Sequence, residues 1–263
     1  MGNDIYFKEV VKPLRKLEEL GKGEVFNVSK NVYGFKTNKS PDILVTGCHH
    51  ASEIFGTYEA IIELLKTNNT NIAAVPVVDV ENFKHYKKHS DHFLKEYNGT
   101  SMEVCFVSDF IKGYKGNKPK RMEWQYGKTK TQEPIDELSK IIDDSKLVLD
   151  VHNSFLDKHL LITNLLDKPK ENKFMYEVLK YLENKESLYE GHLNNKYKKI
   201  FKGLFESNIE NTVLSYASSK DITNLVFEIP VYDGKKIYDF NMLKNQTCKL
   251  LEYTIKQFNK YKR

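Results

Sequence analysis

His50 and Glu53 stand three residues apart in the stretch Gly47-Cys48-His49-His50-Ala51-Ser52-Glu53, directly after an apolar run. An imidazole and a carboxylate at that spacing, at the start of a helix, face one point and make a compact beginning for a metal site. A second imidazole, His152, closes the apolar run Leu147-Val148-Leu149-Asp150-Val151-His152, where a polar side chain needs a partner at the sheet edge. Two imidazoles and a carboxylate form a ligand set that leaves zinc a fourth position open for water. Glu228 lies inside Leu225-Val226-Phe227-Glu228-Ile229. An ionised carboxylate on a buried strand costs on the order of several kcal/mol unless it is paired or faces a polar cavity. Beside a metal-activated water it can take a proton and later return it to a leaving amine. The chemistry these four residues predict is metal-assisted hydrolysis of an amide bond.

The elements that must position them follow from hydrophobic periodicity. An amphipathic helix is expected over Tyr6 to Leu20, then a strand pair in GEVFNVSK and NVYGFKTN. DILVTGC reads as a buried strand, SEIFGTYEAIIELLK as a helix and NIAAVPVVD as a second buried strand, a strand-helix-strand unit with a parallel pair. Residues 84–130 are lysine-rich and irregular and read as one long loop excursion, because strand and helix alternation resumes after it. EPIDELSKIIDD is then a helix, KLVLDVH and HLLITN strands, Glu171 to Asn184 a helix, NTVLSYAS and TNLVFEIPV strands, and the chain from Phe240 onward a long helix. The sum is an α/β sandwich with a mostly buried central sheet. His50, Glu53, His152 and Glu228 all fall in or after its buried strands, where open α/β sheets form their sites. Singly, each has a plain structural reading: a chance His-x-x-Glu, a satisfied strand-end histidine, a glutamate paired with lysine. Their joint placement carries the argument.

Composition bounds the alternatives. The chain has 263 residues, 40% hydrophobic and 12% aromatic, enough for one sizeable core, and no stretch is apolar enough to suggest a membrane span. The charged first twenty residues do not read as a secretory signal. Cys48, Cys105 and Cys248 are odd in number and irregularly spaced, which argues against a disulfide framework and suits a reducing, cytoplasmic setting. The net charge is +5, and the basic residues are lysines except Arg15, Arg121 and Arg263; this is a poor endowment for phosphate recognition, so nucleic acid is not an expected partner.

These motifs resemble those of the zinc carboxypeptidases and the related succinylglutamate desuccinylases and aspartoacylases. The first metal motif of that family is matched by His50 and Glu53, the third ligand by Asp150-Val151-His152 after a helix beginning near Glu133-Pro134, and the catalytic glutamate by Glu228. The resemblance spans about Asp42 to Glu228. It implies a single domain over residues 1–263, a mixed sheet of roughly eight strands with helices on both faces, and one zinc per chain. It also implies a carboxypeptidase-type peptidase acting on a small peptide, or else a deacylase acting on an N-acyl amino acid. Departures are equally plain. Asp79-Val80-Glu81-Asn82 replaces the family's Asn-Pro-Asp-Gly turn, and Arg121 is the one arginine between the first motif and the third ligand. The family uses one arginine at the oxyanion and an Asn-Arg pair at the substrate carboxylate. Arg121 can fill one of these roles, with Asn117 beside it as a candidate anchor and Lys118 or Lys120 as other sources of charge. Tyr216 resembles the mobile tyrosine that the family places ahead of its catalytic glutamate, with a strand or loop aromatic as the other reading.

Rival readings remain at this level. His85, His89 and His92 lie among lysines that oppose a cation and read as a solvated face. Cys48 beside two histidines raises a cysteine nucleophile, but its place in an apolar run favours a packed thiol. His49 reads as a bystander to His50, with a swap of roles open. The shortage of arginines raises an inactive binding protein on the same fold.

Overall fold

The computed structural model describes residues 4–29, 31–49, 54–67, 71–80, 83–84, 87, 133–154, 156–164, 169–193, 197–207, 213–231 and 238–261. Their helices are α1 (Lys12–Glu19), α2 (Thr57–Thr67), α3 (Glu133–Asp144), α4 (Pro169–Lys185), α5 (Val213–Ser219) and α6 (Phe240–Tyr261). Their strands are β1 (Glu24–Ser29), β2 (Val32–Lys36), β3 (Ile43–Gly47), β4 (Ile72–Val75), β5 (Leu147–Ser154), β6 (Leu160–Thr163), β7 (Tyr197–Phe201), β8 (Leu204–Ser207) and β9 (Thr223–Pro230). A π-helical turn, Phe7–Val11, precedes α1. Pro13, in the first turn of α1, gives the reason: its ring disfavours a regular α-helical carbonyl one turn earlier, and a wider turn relieves the clash.

The nine strands form one mixed sheet in the order β1-β2-β4-β3-β5-β9-β6-β8-β7. Its centre, β4, β3, β5 and β9, is parallel, and every residue of β3, β4 and β5 is buried. That burial explains why these segments read as continuous apolar runs rather than alternating ones. Antiparallel strands flank the centre: β2 pairs with β4 and β6 with β9. Along β9, Leu225, Phe227 and Ile229 join the main core, whereas Val226 joins a second cluster with Leu160, Ile162, Phe205 and Leu214 of α5. Alternate residues of a strand face opposite sides, so helices cover both faces. α2, α4 and α6 pack together, and α5 packs on β9.

One element differs from the sequence expectation in type. NTVLSYAS was expected as a strand, but Val213–Ser219 is helix, with Val213, Leu214 and Ala217 buried at helical spacing. A short apolar run fits either period, and here tertiary packing decides. Two strands went unread: β7, a half-exposed edge strand rich in lysine, and β8 beside it, only four residues long with a buried first half. One strand lost and two gained turn the expected eight into nine among the described residues. Most of the lysine-rich segment 84–130 lies outside the described residues, as do His85, His89 and His92.

Glycine is required at Gly56, where φ is +80° and a Cβ would stand 2.9 Å from the Lys244 backbone nitrogen. That close approach seats α6 against the chain entering α2.

His159, at the head of β6, is buried, and burial pushes its imidazole down to about 4. A histidine depressed in the fold is protonated first in the unfolded chain, so its contribution is present above the unfolded value near 6.5 and is lost as pH falls toward 4. Urea unfolding of the wild type should therefore lose up to about 3 kcal/mol between pH 7 and 4 from this group, and His159→Gln should show a correspondingly flatter profile. Identical profiles would remove His159 as the source.

Candidate active site

The register of the central strands sets the site. Thr46 pairs with Asp150, and His152 pairs with Glu228. Paired residues of neighbouring strands share a face, as do residues two apart on one strand. Thr46, Asp150, His152 and Glu228 therefore line one face of the sheet at the carboxyl ends of β3, β5 and β9, the crevice where open α/β sheets bind ligands.

Asp150 is the hub. It is buried, and its Oδ1 accepts from the Thr46 hydroxyl at 2.8 Å. Its Oδ2 lies 2.8 Å from His152 Nε2. An ionised carboxylate can only accept, so His152 Nε2 carries the proton and Nδ1 is the lone-pair nitrogen, the tautomer a metal ligand needs. His49, also buried, stacks on His152 with ring centroids 5.5 Å apart and planes 7° from parallel. Its Nε2 is 3.0 Å from Asp150 Oδ1, close enough for a charge contact though off the line a hydrogen bond prefers. Burial pushes the Asp150 carboxyl up, but electrostatic attraction and hydrogen-bonding contact from the His49 and His152 imidazoles outweigh it and hold it well below the usual carboxylate range.

Cys48 turns the chain off β3. Its φ of 49° is in the left-handed region, a conformation that costs a non-glycine residue about 1 kcal/mol or more and persists where surroundings over-determine it. Here its carbonyl accepts from the Asp79 N–H at 3.1 Å, and its buried thiol meets the Thr57 hydroxyl at 3.4 Å. The turn brings His49 over Asp150. The buried thiol agrees with the packed thiol that the apolar run suggested for Cys48.

His50 and Glu53 lie outside the described residues, as do Arg121 and Asn117. The chain on either side of the first two is nevertheless fixed. Upstream, the Val78 N–H donates to the Gly47 carbonyl at 3.1 Å. Downstream, Asn153, on the opposite face of β5 from His152, holds Phe55 reciprocally: the Phe55 N–H donates to Asn153 Oδ1 at 3.0 Å, and Asn153 Nδ2 donates to the Phe55 carbonyl at 3.3 Å. Among the described residues no three His, Cys, Asp or Glu side chains converge as a cation site; His50 and Glu53, which the sequence suggests as ligands, lie outside that set. The donors that are described fit a metal: one imidazole in the right tautomer, backed by a carboxylate.

Glu228 is the one residue of β9 that is not fully buried, and that accessibility answers the cost an interior carboxylate would incur. Tyr216 stands elsewhere. It lies on α5 near the edge where β5 and β9 begin, its hydroxyl donating to Asp143 at 2.9 Å and its ring under Lys220 at 5.4 Å. The structure does not bring it to Glu228. Sequence reasoning placed Asp150 in the motif of His152 without giving it a role, passed over Thr46 and Asn153, and took His49 for a bystander. Asp150 had a signal: an acidic residue in an otherwise apolar strand.

No family model matches the chain, and no curated protein matches it. Solved structures do. A candidate metallopeptidase from Shewanella amazonensis superposes with a TM-score of 0.65 at 10% identity, covering 93% of this chain and 90% of that one. One from Shewanella denitrificans gives 0.60 at 10% identity over 97% and 89%, and the carboxypeptidase A of Helicoverpa armigera gives 0.62 at 11% identity over 97% and 72%. Identities this low speak to fold. The chain has the fold of carboxypeptidase A and of the metallopeptidases named here.

Replacing Asp150 by Asn removes the charge that fixes the His152 tautomer. Zinc affinity, measured by competition with a chromophoric chelator, should then fall about 10- to 100-fold; unchanged affinity would mean that Asp150 does not orient a ligand.

Proposed function

We propose that this chain is a zinc-dependent hydrolase that cuts an amide bond in the manner of a carboxypeptidase-type peptidase. One observation carries the reading: a buried aspartate holds an imidazole by Nε2, next to a half-buried glutamate on the adjoining parallel strand, at the carboxyl ends of a carboxypeptidase-type sheet. His152, with His50 and Glu53, would hold the zinc, and zinc bound there supplies Lewis acidity toward water and a carbonyl oxygen. Asp150 keeps His152 in the tautomer that donates its lone pair outward. Glu228 is the general base, taking a proton from water and passing it to the leaving amine nitrogen. Its partial exposure lets a substrate reach it, and its position on a rigid central strand holds it in place for that transfer. Arg121 is assigned to the developing oxyanion or to a substrate carboxylate, with Asn117 beside it; a charged donor aimed at either is worth a few kcal/mol.

A general base contributes about 10²- to 10⁴-fold to rate. Glu228→Gln should keep the fold and the zinc stoichiometry while turnover of a C-terminal dipeptide substrate falls by that range. Turnover retained in this variant would end the assignment of Glu228, and hydrolysis confined to N-acyl amino acids would move the substrate class to deacylation.

A further inference from the structure

A second cavity, of about 390 Å³, opens between α4, α6 and the head of β6. Ile229 lines it, and Ile229 alternates with Glu228 along β9, so this cavity lies on the face of the sheet away from the catalytic glutamate. Its volume is within the range of about 300–1,000 Å³ typical of small-molecule sites. The floor is apolar, with Leu182 and Leu250 beside Ile229.

The polar groups are unevenly matched. Glu186 Oε1 accepts from Gln246 Nε2 at 2.7 Å, and its Oε2 is 3.9 Å from His159 Nε2. Burial raises the Glu186 carboxyl and pushes His159 down to about 4, so near neutral pH the imidazole brings no positive charge to it. Among the described residues no lysine or arginine pairs with Glu186. Lys185 and Lys249, exposed at the rim, have no carboxylate partner among them either. Two residues of the wall, His159 and Thr247, each keep a buried polar atom, Nδ1 and Oγ1, without a hydrogen-bond partner among the described residues. Native interiors rarely leave such atoms unserved. One half-buried carboxylate, two cations at the mouth and an apolar floor are complementary to a small zwitterion with an apolar tail.

We propose that this cavity binds a free α-amino acid with an apolar side chain, its ammonium on Glu186, its carboxylate toward Lys185 and Lys249, and its side chain over Leu182, Ile229 and Leu250. The site is separate from the catalytic one, and the proposal does not rest on the hydrolytic reading. Calorimetric titration of the full chain with L-leucine, L-methionine and L-phenylalanine tests it. 4-Methylpentanoate and 3-methylbutylamine serve as leucine analogues lacking the ammonium or the carboxylate. At least one amino acid should saturate a single site, with the matching analogue about tenfold weaker or more, the scale of one charged hydrogen bond. Glu186→Gln and Lys249→Glu, each verified as folded by circular dichroism, should both weaken binding by at least about tenfold, and Glu228→Gln should leave it unchanged. Absence of saturable binding by all three amino acids, or binding retained in Glu186→Gln, would overturn the proposal. So would binding lost in Glu228→Gln alone, which would locate the ligand at the catalytic face.

Discussion

Burying a carboxylate among parallel strands is expensive, since the charge gives up water for a medium that does not solvate it. Asp150 meets that cost with the Thr46 hydroxyl on the neighbouring strand, the His152 imidazole two residues on, and His49 from the turn after β3. Thr46 is held by the register of β3 with β5, His152 by the backbone of β5 itself, and His49 by the left-handed turn after β3. The need to satisfy one charge therefore ties together two strand ends, one turn and two stacked rings. Truncating any partner would leave the charge short of donors, and such losses in buried clusters are costly out of proportion to one hydrogen bond.

The same constraint connects packing to chemistry. The left-handed Cys48 turn carries His49 to Asp150, and its carbonyl is tied to Asp79 beyond β4. On the other face of β5, Asn153 ties the chain just after the first motif to the strand that carries His152. The chain before His50 is thus tied to the segment after β4, and the chain after Glu53 to β5, which carries His152 and pairs with the strand of Glu228. A site whose side chains are mounted on buried central strands is positioned more rigidly than one built on loops.

Much of this was legible in the sequence where one face or one period dominated. The fully buried strands β3, β4 and β5 and the long helices α4 and α6 stand where their apolar runs and helical spacing put them. Val213–Ser219 misled because a seven-residue segment with few apolar positions fits strand or helix, and only its packing on β9 decides. β7 was invisible because Tyr197-Lys198-Lys199-Ile200-Phe201 is a half-exposed edge strand with no strong period. At the site, residue chemistry singled out His152 and Glu228, which the register sets side by side, but the link from Asp150 to two histidines depends on that register, which spacing alone does not give. For Tyr216 a motif-level match supplied a role, whereas its hydroxyl donates to Asp143 at the end of α3, just before β5 begins.

The account stands on the claim that His152, oriented by Asp150, completes a zinc site. The most direct measurement is the metal content per chain of untagged wild-type protein and of His152→Ala, by elemental analysis after incubation with zinc and gel filtration. The account predicts about one zinc per wild-type chain and a small fraction of that in the variant, because one of three protein ligands is gone. Wild-type protein without bound metal, or a variant that retains it in full, would contradict the account.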